Sequence, residues 1–147
     1  MKKRIVYFAY GSNMNNGQMA GRCPNATNLG PAVLKGWGLR ERLHADIEKS
    51  ADEEVYGVLW GVTDECIRAL DYYEGVPSYY VKKHVMVKMR GCAATVMALV
   101  YVMNPKAAKM RDDECFTFSY ASGCAKGAKE NDVPVHPLYE ISAVVNW

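Results

Sequence analysis

The sequence has no long hydrophobic run. It comprises 147 residues, half of them hydrophobic, and no apolar segment approaches the ~20 residues that a transmembrane helix needs. The basic start, Met1-Lys2-Lys3-Arg4, resembles that of a signal peptide. The apolar run behind it, Ile5 to Tyr10, is shorter than the ~7–15 residues of a signal-peptide core. We therefore expect a cytoplasmic protein with no membrane partner.

The sequence also lacks an excess of one charge. The 18 Lys and Arg residues and 16 Asp and Glu residues give a net charge of +2, with both signs interspersed. Nucleic-acid-binding domains carry clustered basic residues, so we expect no nucleic-acid partner. There is no linker, internal repeat or low-complexity stretch. We predict one domain over residues 1–147, which is long enough to bury roughly two-thirds of its unfolded surface.

Metal-binding and disulfide patterns are absent as well. The number of cysteines is odd, there is no Cys-x-x-Cys pair, and the histidines are widely spaced. We therefore predict reduced, mostly buried thiols, no metal site and no cofactor. The cysteines and histidines are Cys23, Cys66, Cys92, Cys115, Cys124, His44, His84 and His136.

A convincing catalytic nucleophile is missing too. Ser12 lacks the Gly-x-Ser-x-Gly context of a nucleophilic serine and has no evident histidine partner. None of the cysteines stands in a recognisable catalytic pattern. The sequence therefore favours a reaction in which the substrate supplies its own nucleophile.

The most informative stretch that is present is Tyr7-Phe8-Ala9-Tyr10-Gly11-Ser12-Asn13-Met14. Residues 5–10 are rich in β-branched and aromatic side chains, which predicts a strand. Gly11, Ser12 and Asn13 then form a small polar turn. Successive backbone N–H groups in such a turn can point outward and bind an anion or an oxyanion. From these residues alone, an ordinary strand-to-loop turn is the simpler interpretation.

A second informative segment is the helix predicted after Thr63. Thr63 is a favoured N-cap residue, and Gly75 is a favoured C-cap residue. Glu74 lies four residues after Leu70 and seven after Ile67, so the helical period places it on their apolar face. Burial there raises the pKa of a carboxyl group, which suits it to general acid/base catalysis. Alternatively, the helix frays before Glu74, whose side chain then faces solvent or pairs with a lysine.

The remaining pattern predicts further strands and helices around a sheet. Residues 47–54 carry five charged side chains and predict an exposed loop, and residues 106–115 predict a connection without regular structure. Arg40-Glu41-Arg42 is interpreted as a solvated face, and Gly30-Pro31 as a turn. The predicted strands are residues 5–10, 32–39, 55–62, 78–89 and 94–103, the last two forming a β-hairpin. The predicted helices are a short one within residues 15–23, the Thr63 helix and residues 119–129, with a final helix or strand over 138–145.

The predicted C-terminal helix carries Tyr120, Cys124, Gly127 and Ala128 on one face. Glycine inside a helix costs ~1 kcal/mol relative to alanine. Gly123 and Gly127 therefore predict close packing of this helix against the sheet or the Gly-Ser-Asn turn.

Three stretches of the chain resemble the γ-glutamylcyclotransferase-like family. Tyr7 to Met14 is similar to its signature turn, and Leu70-Asp71-Tyr72-Tyr73-Glu74-Gly75-Val76 to the segment with its catalytic glutamate. Tyr120 followed by Gly127-Ala128-Lys129-Glu130-Asn131 is similar to its C-terminal helix. The stretches occur in the family's order and span most of the chain. The resemblance implies an α/β (α+β) fold: a small, mixed, partly closed β-barrel with surrounding helices.

The resemblance also implies a reaction. The α-amine of a γ-glutamyl compound attacks its own γ-carbonyl, closes the ring of 5-oxoproline and releases an amine or amino acid. Glu74 would be the general acid/base, and no cofactor or metal would be required. The turn would bind either the oxyanion or the substrate's carboxylate. The implied substrate-binding residues are Tyr7, Tyr10, Gly11, Ser12, Asn13 and Tyr120.

The chain departs from the family pattern after Asn131. The usual Gly-Leu-Pro is replaced by Asp132-Val133-Pro134, and Tyr139 follows the proline by five residues instead of three. The leaving group therefore stays open between a free amino acid, the side-chain amine of a lysine and an amine on a biosynthetic intermediate.

Two other classes of function compete with the enzyme. One is a module that binds a small anionic metabolite without turnover, although a buried Glu74 repels an anion unless it is protonated. The other is an interaction module with Trp37, Trp60 and Trp147 as interface anchors, which core packing explains equally well. A homodimer is compatible with the sequence.

Overall fold

The computed structural model describes residues 4–140, which form five strands, four α-helices and one 3₁₀ turn. The strands are β1 (Ile5–Ala9), β2 (Thr27–Arg42), β3 (His44–Val62), β4 (Tyr80–Met89) and β5 (Thr95–Met103). The helices are α1 (Asn16–Arg22), α2 (Asp64–Glu74), α3 (Pro105–Arg111) and α4 (Phe118–Glu130), and the 3₁₀ turn is Ser12–Met14. Within residues 4–140, no helix has the length and apolar character needed to cross a bilayer.

The five strands close into a barrel in the order β1-β3-β2-β4-β5. All neighbours are antiparallel except β1 and β5, which pair in parallel where Tyr7 lies beside Leu99. The buried residues of these strands include 7–9 in β1, 57–62 in β3 and 98–103 in β5. The predicted mixed barrel with surrounding helices is confirmed, and the barrel is fully closed.

The β2–β3 hairpin is the main correction to the prediction. Residues 47–54 are not a loop but part of β3. Residues 47–49 pair with Leu39, Gly38 and Trp37, Glu54 pairs with Lys35, and residues 50–53 form an irregularity between these pairs. Their charged side chains face solvent and pair across the hairpin, as Arg40 does with Glu53. The segment around Gly30 is likewise not a turn but an irregularity within β2, where the register shifts.

The caps of α2 are as predicted. The Thr63 hydroxyl accepts a hydrogen bond from Cys66 N, and Gly75 ends the helix in the left-handed conformation with φ of 64°. Within residues 106–115 the predicted connection is wrong, because α3 begins at Pro105. Its N-cap is Asn104, whose side chain accepts from Lys106 N. Residues 137–140 form a helical turn, and the rest of the segment predicted over 138–145 lies outside the described residues.

Helix α4 packs directly on the turn that follows β1. A Cβ atom on Gly127 would lie 2.4 Å from Asn15 N and 2.5 Å from the carbonyl carbon of Met14, so this contact requires glycine. The prediction of close packing is confirmed for Gly127 but wrong for Gly123, where a Cβ atom would meet nothing within 4 Å. All five cysteines are free thiols; Cys92 and Cys115 are exposed and the other three are buried.

Candidate active site

One cavity of about 180 Å³ brings together all the site residues predicted from the sequence. It lies where β1 ends in the 3₁₀ turn, beside the C-terminal end of α2 and the start of α4. The predicted residues that line it are Tyr7, Tyr10, Gly11, Ser12, Asn13, Glu74 and Tyr120.

Glu74 is the last residue of α2 and lines this cavity. Ile67 and Leu70 on the same helical face are buried, so the face aims the carboxyl group inward, as its spacing predicted. Burial raises the pKa of Glu74 to about 7, and the positive charge of Arg22 partly opposes this rise. Near neutral pH the carboxyl group is therefore able to both accept and donate a proton.

The Gly-Ser-Asn turn forms one wall of the cavity. The first helical hydrogen bond of the turn is donated by Met14 N to Gly11 O. The N–H groups of Ser12 and Asn13 come before this bond, at the start of the 3₁₀ turn. The Nε1 of Trp60 donates to Asn13 O at 3.0 Å and fixes the turn to the barrel. Trp60 is therefore a buried core residue that supports the cavity.

The side-chain amide of Asn13 is buried and makes four hydrogen bonds. Its Nδ2 donates to Tyr7 Oη at 2.9 Å and to Glu74 Oε1 at 3.3 Å. Its Oδ1 accepts from Gln18 Nε2 at 3.1 Å and from Arg22 Nη1 at 3.0 Å. Asn13 therefore connects the carboxyl group of Glu74 to helix α1.

Tyrosine hydroxyls join the cavity wall to the backbone of neighbouring elements. Tyr10 Oη donates to Tyr101 O at 2.6 Å, and Tyr120 Oη accepts from Ala45 N at 2.9 Å. Tyr139, which departs from the family spacing, is buried and donates to Tyr10 O at 2.6 Å. Burial raises the pKa of each of these tyrosine hydroxyls, so they are neutral near pH 7.

Sequence reasoning missed about half of the cavity wall. Gln18 and Arg22 lie four residues apart on α1, a spacing that puts them on one helical face and was available as a signal. His44 and Ala45 arrive at the cavity from the turn of the β2–β3 hairpin, which no local pattern indicates. The missed residues are Gln18, Arg22, His44, Ala45, Tyr73, Tyr79, Tyr80 and Tyr101.

His44 lies at the end of the cavity formed by the hairpin. Its Nδ1 is 2.6 Å from Tyr79 Oη, and its ring centroid is 5.0 Å from that of Tyr120. Burial lowers the pKa of His44, so the ring is neutral near pH 7. Among residues 4–140, no group of three His, Cys, Asp or Glu side chains is placed to hold a metal ion.

Comparisons with known proteins identify the family of the chain. The sequence model described as gamma-glutamyl cyclotransferase, AIG2-like matches residues 7–121. Gamma-glutamylcyclotransferase of Mus musculus is 30% identical to this chain, and the alignment covers 95% of this chain and 78% of the mouse protein. The Homo sapiens protein of the same name is 26% identical, over 97% and 80%.

A solved structure named gamma-glutamyl cyclotransferase superposes on this protein with a TM-score of 0.75. The superposition covers 96% of this chain and 88% of the chain of that structure. At 24% identity, this likeness shows the shared fold. The region matched by the family model extends from within β1, through the other strands and α2, to the first turn of α4. The chain therefore belongs to the gamma-glutamyl cyclotransferase, AIG2-like family.

Proposed function

We propose that this protein is a γ-glutamyl cyclotransferase that converts a γ-glutamyl compound into 5-oxoproline and a free amine or amino acid. The observation that carries the proposal is Glu74, a carboxyl group on the cavity wall whose pKa burial raises to about 7. A general acid/base is most effective when its pKa lies near the working pH. The names of the relatives support the same reaction class.

The reaction moves two protons from the substrate's α-nitrogen to the departing nitrogen, and Glu74 carries both. The ionised carboxylate takes a proton from the substrate's α-ammonium group, and the resulting amine attacks the γ-carbonyl carbon. The new C–N bond closes the five-membered ring and puts a negative charge on the former carbonyl oxygen. When that tetrahedral intermediate collapses, the original C–N bond breaks and Glu74 returns its proton to the departing amine. The regenerated carboxylate takes the second proton from the ring nitrogen, and that proton leaves on the released amine, which departs in its ammonium form. Atoms and charge balance without a further reactant.

The turn at Gly11, Ser12 and Asn13 has a separate role in the proposal. Its early N–H groups bind one of the negatively charged groups of the reaction, either the oxyanion or the substrate's α-carboxylate. Tyr7, Tyr10 and Tyr120 shape the remaining wall and hold the flexible glutamyl chain in the folded conformation from which the ring closes. Restricting the chain in this way lowers the entropic barrier to cyclisation.

The experiment that tests the proposal measures 5-oxoproline release. The purified protein is offered a panel of γ-glutamyl amino acids and γ-glutamyl-ε-lysine, beside Glu74→Gln. Because Gln keeps the size of the side chain but transfers no proton, we expect kcat to fall by roughly 10²–10⁴-fold. Glu65→Gln, an exposed position at the start of the same helix, is the matched control and keeps its activity.

The panel also discriminates between the function classes. Release of product by the wild type establishes the reaction, and the preferred substrate identifies the leaving group. Product formation by a folded Glu74→Gln protein at the wild-type rate would contradict the role of Glu74. Binding of the panel compounds without any product would instead favour the metabolite-binding module on the same fold.

A further inference from the structure

We propose that Arg22 is a positioning residue for Glu74 and acts through the side-chain amide of Asn13. The inference rests on the proposed function in one respect, since it takes Glu74 as the group that transfers protons. The hydrogen bonds that carry it exist in the free protein and do not depend on any substrate.

The orientation of the Asn13 amide is set by Arg22. An amide presents an acceptor on one side and donors on the other, and a 180° rotation exchanges them. The guanidinium group of Arg22 has donors alone, so the atom 3.0 Å from its Nη1 must be the oxygen of Asn13. The amide nitrogen is then directed at Glu74 Oε1, 3.3 Å away. With the opposite orientation, the amide oxygen would face the carboxylate and its NH₂ group would face the guanidinium.

The Arg22 guanidinium group is held by Tyr73 as well as by Asn13. Its guanidinium carbon lies 4.5 Å from the ring centroid of Tyr73, the residue that precedes Glu74. Within residues 4–140, Arg22 forms no ion pair with a carboxylate. Arg40, Arg42 and Arg111 each form one or more. Asn13 and Tyr73 therefore hold the cation in place beside the site without neutralising it.

Arg22 supplies a positive charge that acts on the Glu74 carboxyl group. Desolvation favours the neutral form of Glu74, whereas a nearby cation favours the ionised form that accepts a proton. The two effects oppose each other at this carboxyl group and leave its pKa at about 7. Without Arg22 the pKa would be higher, so less of the carboxylate base would be present at neutral pH.

The other titratable groups around Glu74 are neutral or paired near pH 7. Burial raises the pKa of six tyrosines that line the cavity and lowers that of His44. Asp46 is bonded to Arg42, and Asp71 to Lys82. The tyrosines are Tyr7, Tyr10, Tyr79, Tyr80, Tyr101 and Tyr120.

The test follows the Glu74 carboxyl group directly by NMR, in free protein labelled with ¹³C at the glutamate side chains. The Glu74 signal is assigned by its loss in Glu74→Gln. In Arg22→Gln we expect the titration midpoint of Glu74 to move to higher pH than in the wild type. Arg68→Gln removes an exposed arginine from the same helix as Glu74 and is the matched control, with an unchanged titration.

Steady-state kinetics provide the second readout. We expect kcat of Arg22→Gln to fall roughly 10–100-fold with little change in KM, because a misplaced proton-transfer group slows the chemical step. The rising limb of the pH profile of kcat/KM moves to higher pH in parallel with the NMR midpoint. Arg22→Lys keeps the cation but loses the planar fork, so it retains the wild-type midpoint more closely while kcat still falls.

Two results would overturn the proposal. One is an unchanged Glu74 titration in a folded Arg22→Gln protein. The other is a rise in KM alone, which would make Arg22 a direct ligand of the substrate. If Arg22→Gln does not fold, the kcat and midpoint of Arg22→Lys decide instead. If the wild type has no cyclotransferase activity, the NMR titration still tests the link between Arg22 and Glu74, so failure of the proposed function is recognised separately.

Discussion

Charged side chains pair directly in the half of the β2–β3 hairpin next to its turn, but not in the cavity. In the hairpin, arginines and carboxylates pair directly: Arg42 contacts Asp46, Glu48 and Asp112, and Arg40 contacts Glu53. In the cavity, Arg22 and Glu74 are linked through the neutral amide of Asn13. The hairpin charges satisfy one another, whereas the cavity charges stay available to a bound molecule.

The same contrast appears in the carboxyl groups themselves. Hydrogen bonds from Arg40 lower the pKa of Glu53 to about 2, whereas desolvation raises that of Glu74 to about 7. Glu53 therefore stays ionised at any ordinary pH, and Glu74 changes charge in the physiological range. A carboxylate fixed in one state serves structure, and one that titrates near pH 7 is suited to proton transfer.

The largest effect on stability is expected from Asp46→Ala in the hairpin. Asp46 is buried, and its carboxylate accepts from Arg42 Nη1 at 2.7 Å and from Met103 N at 2.8 Å. Removing the carboxylate leaves the Met103 N–H without its acceptor and deprives Arg42 of its buried partner, although Arg42 keeps Glu48 and Asp112. The free energy of unfolding should therefore fall by about 3–5 kcal/mol. Urea unfolding measures this loss, with the exposed Asp52→Ala as its control. A loss below 1 kcal/mol would show that the hairpin charges are not structural.

The next effect has the opposite sign and concerns the cavity. Glu74 has a pKa of about 7 in the folded protein and an ordinary value of 4.5. Between these values the folded state binds more protons than the unfolded state, so stability falls as pH rises through this window. We expect Glu74→Gln to be more stable than the wild type at pH 8, by up to about 3 kcal/mol.

This gain should shrink towards zero at pH 4, where the wild-type side chain is largely neutral in both states. Urea unfolding of both proteins at pH 4, 6 and 8 measures this gain. Equal stabilities of Glu74→Gln and the wild type at all three pH values would mean that burial does not destabilise the ionised carboxylate.

The smallest effect is expected from Arg40→Gln. Arg40 pairs with Glu53 and Glu48 on the solvent side of the hairpin, where ion pairs typically contribute about 0–1 kcal/mol. The unfolding free energy of Arg40→Gln should be lower than that of the wild type by an amount within that range. Added salt should reduce this difference. A larger, salt-independent loss would mean that this pair behaves like the buried Arg42–Asp46 pair.

Much of the cavity could be predicted because its elements have strong local signals. The caps at Thr63 and Gly75 define α2, and the helical period then places Glu74 on a buried face. The apolar run before Gly11 predicts β1 and the position of the turn. Each of these signals lies within about ten residues of sequence, the range over which helical period, capping and turn chemistry operate.

What could not be predicted depends on contacts between distant segments. Residues 47–54 have the composition of a loop, and they belong to β3 because residues 47–49 and Glu54 pair with β2. Ala45 becomes part of the cavity because Tyr80 and Tyr120 bind its backbone C=O and N–H. Arg22 is unremarkable at the end of a seven-residue helix until the fold places it beside Asn13.

The cavity wall is formed by segments that lie far apart in the sequence, from Tyr7 in β1 to Tyr120 in α4. The shortest contiguous fragment that contains Glu74 together with the turn, Arg22 and Tyr120 extends from Gly11 to Tyr120, which is most of the chain. Contacts of such high sequence separation form late and are lost together, so the cavity exists only once the barrel has closed. Enzymatic turnover should therefore disappear at the same denaturant concentration as the barrel itself, which makes activity a reporter of cooperative folding.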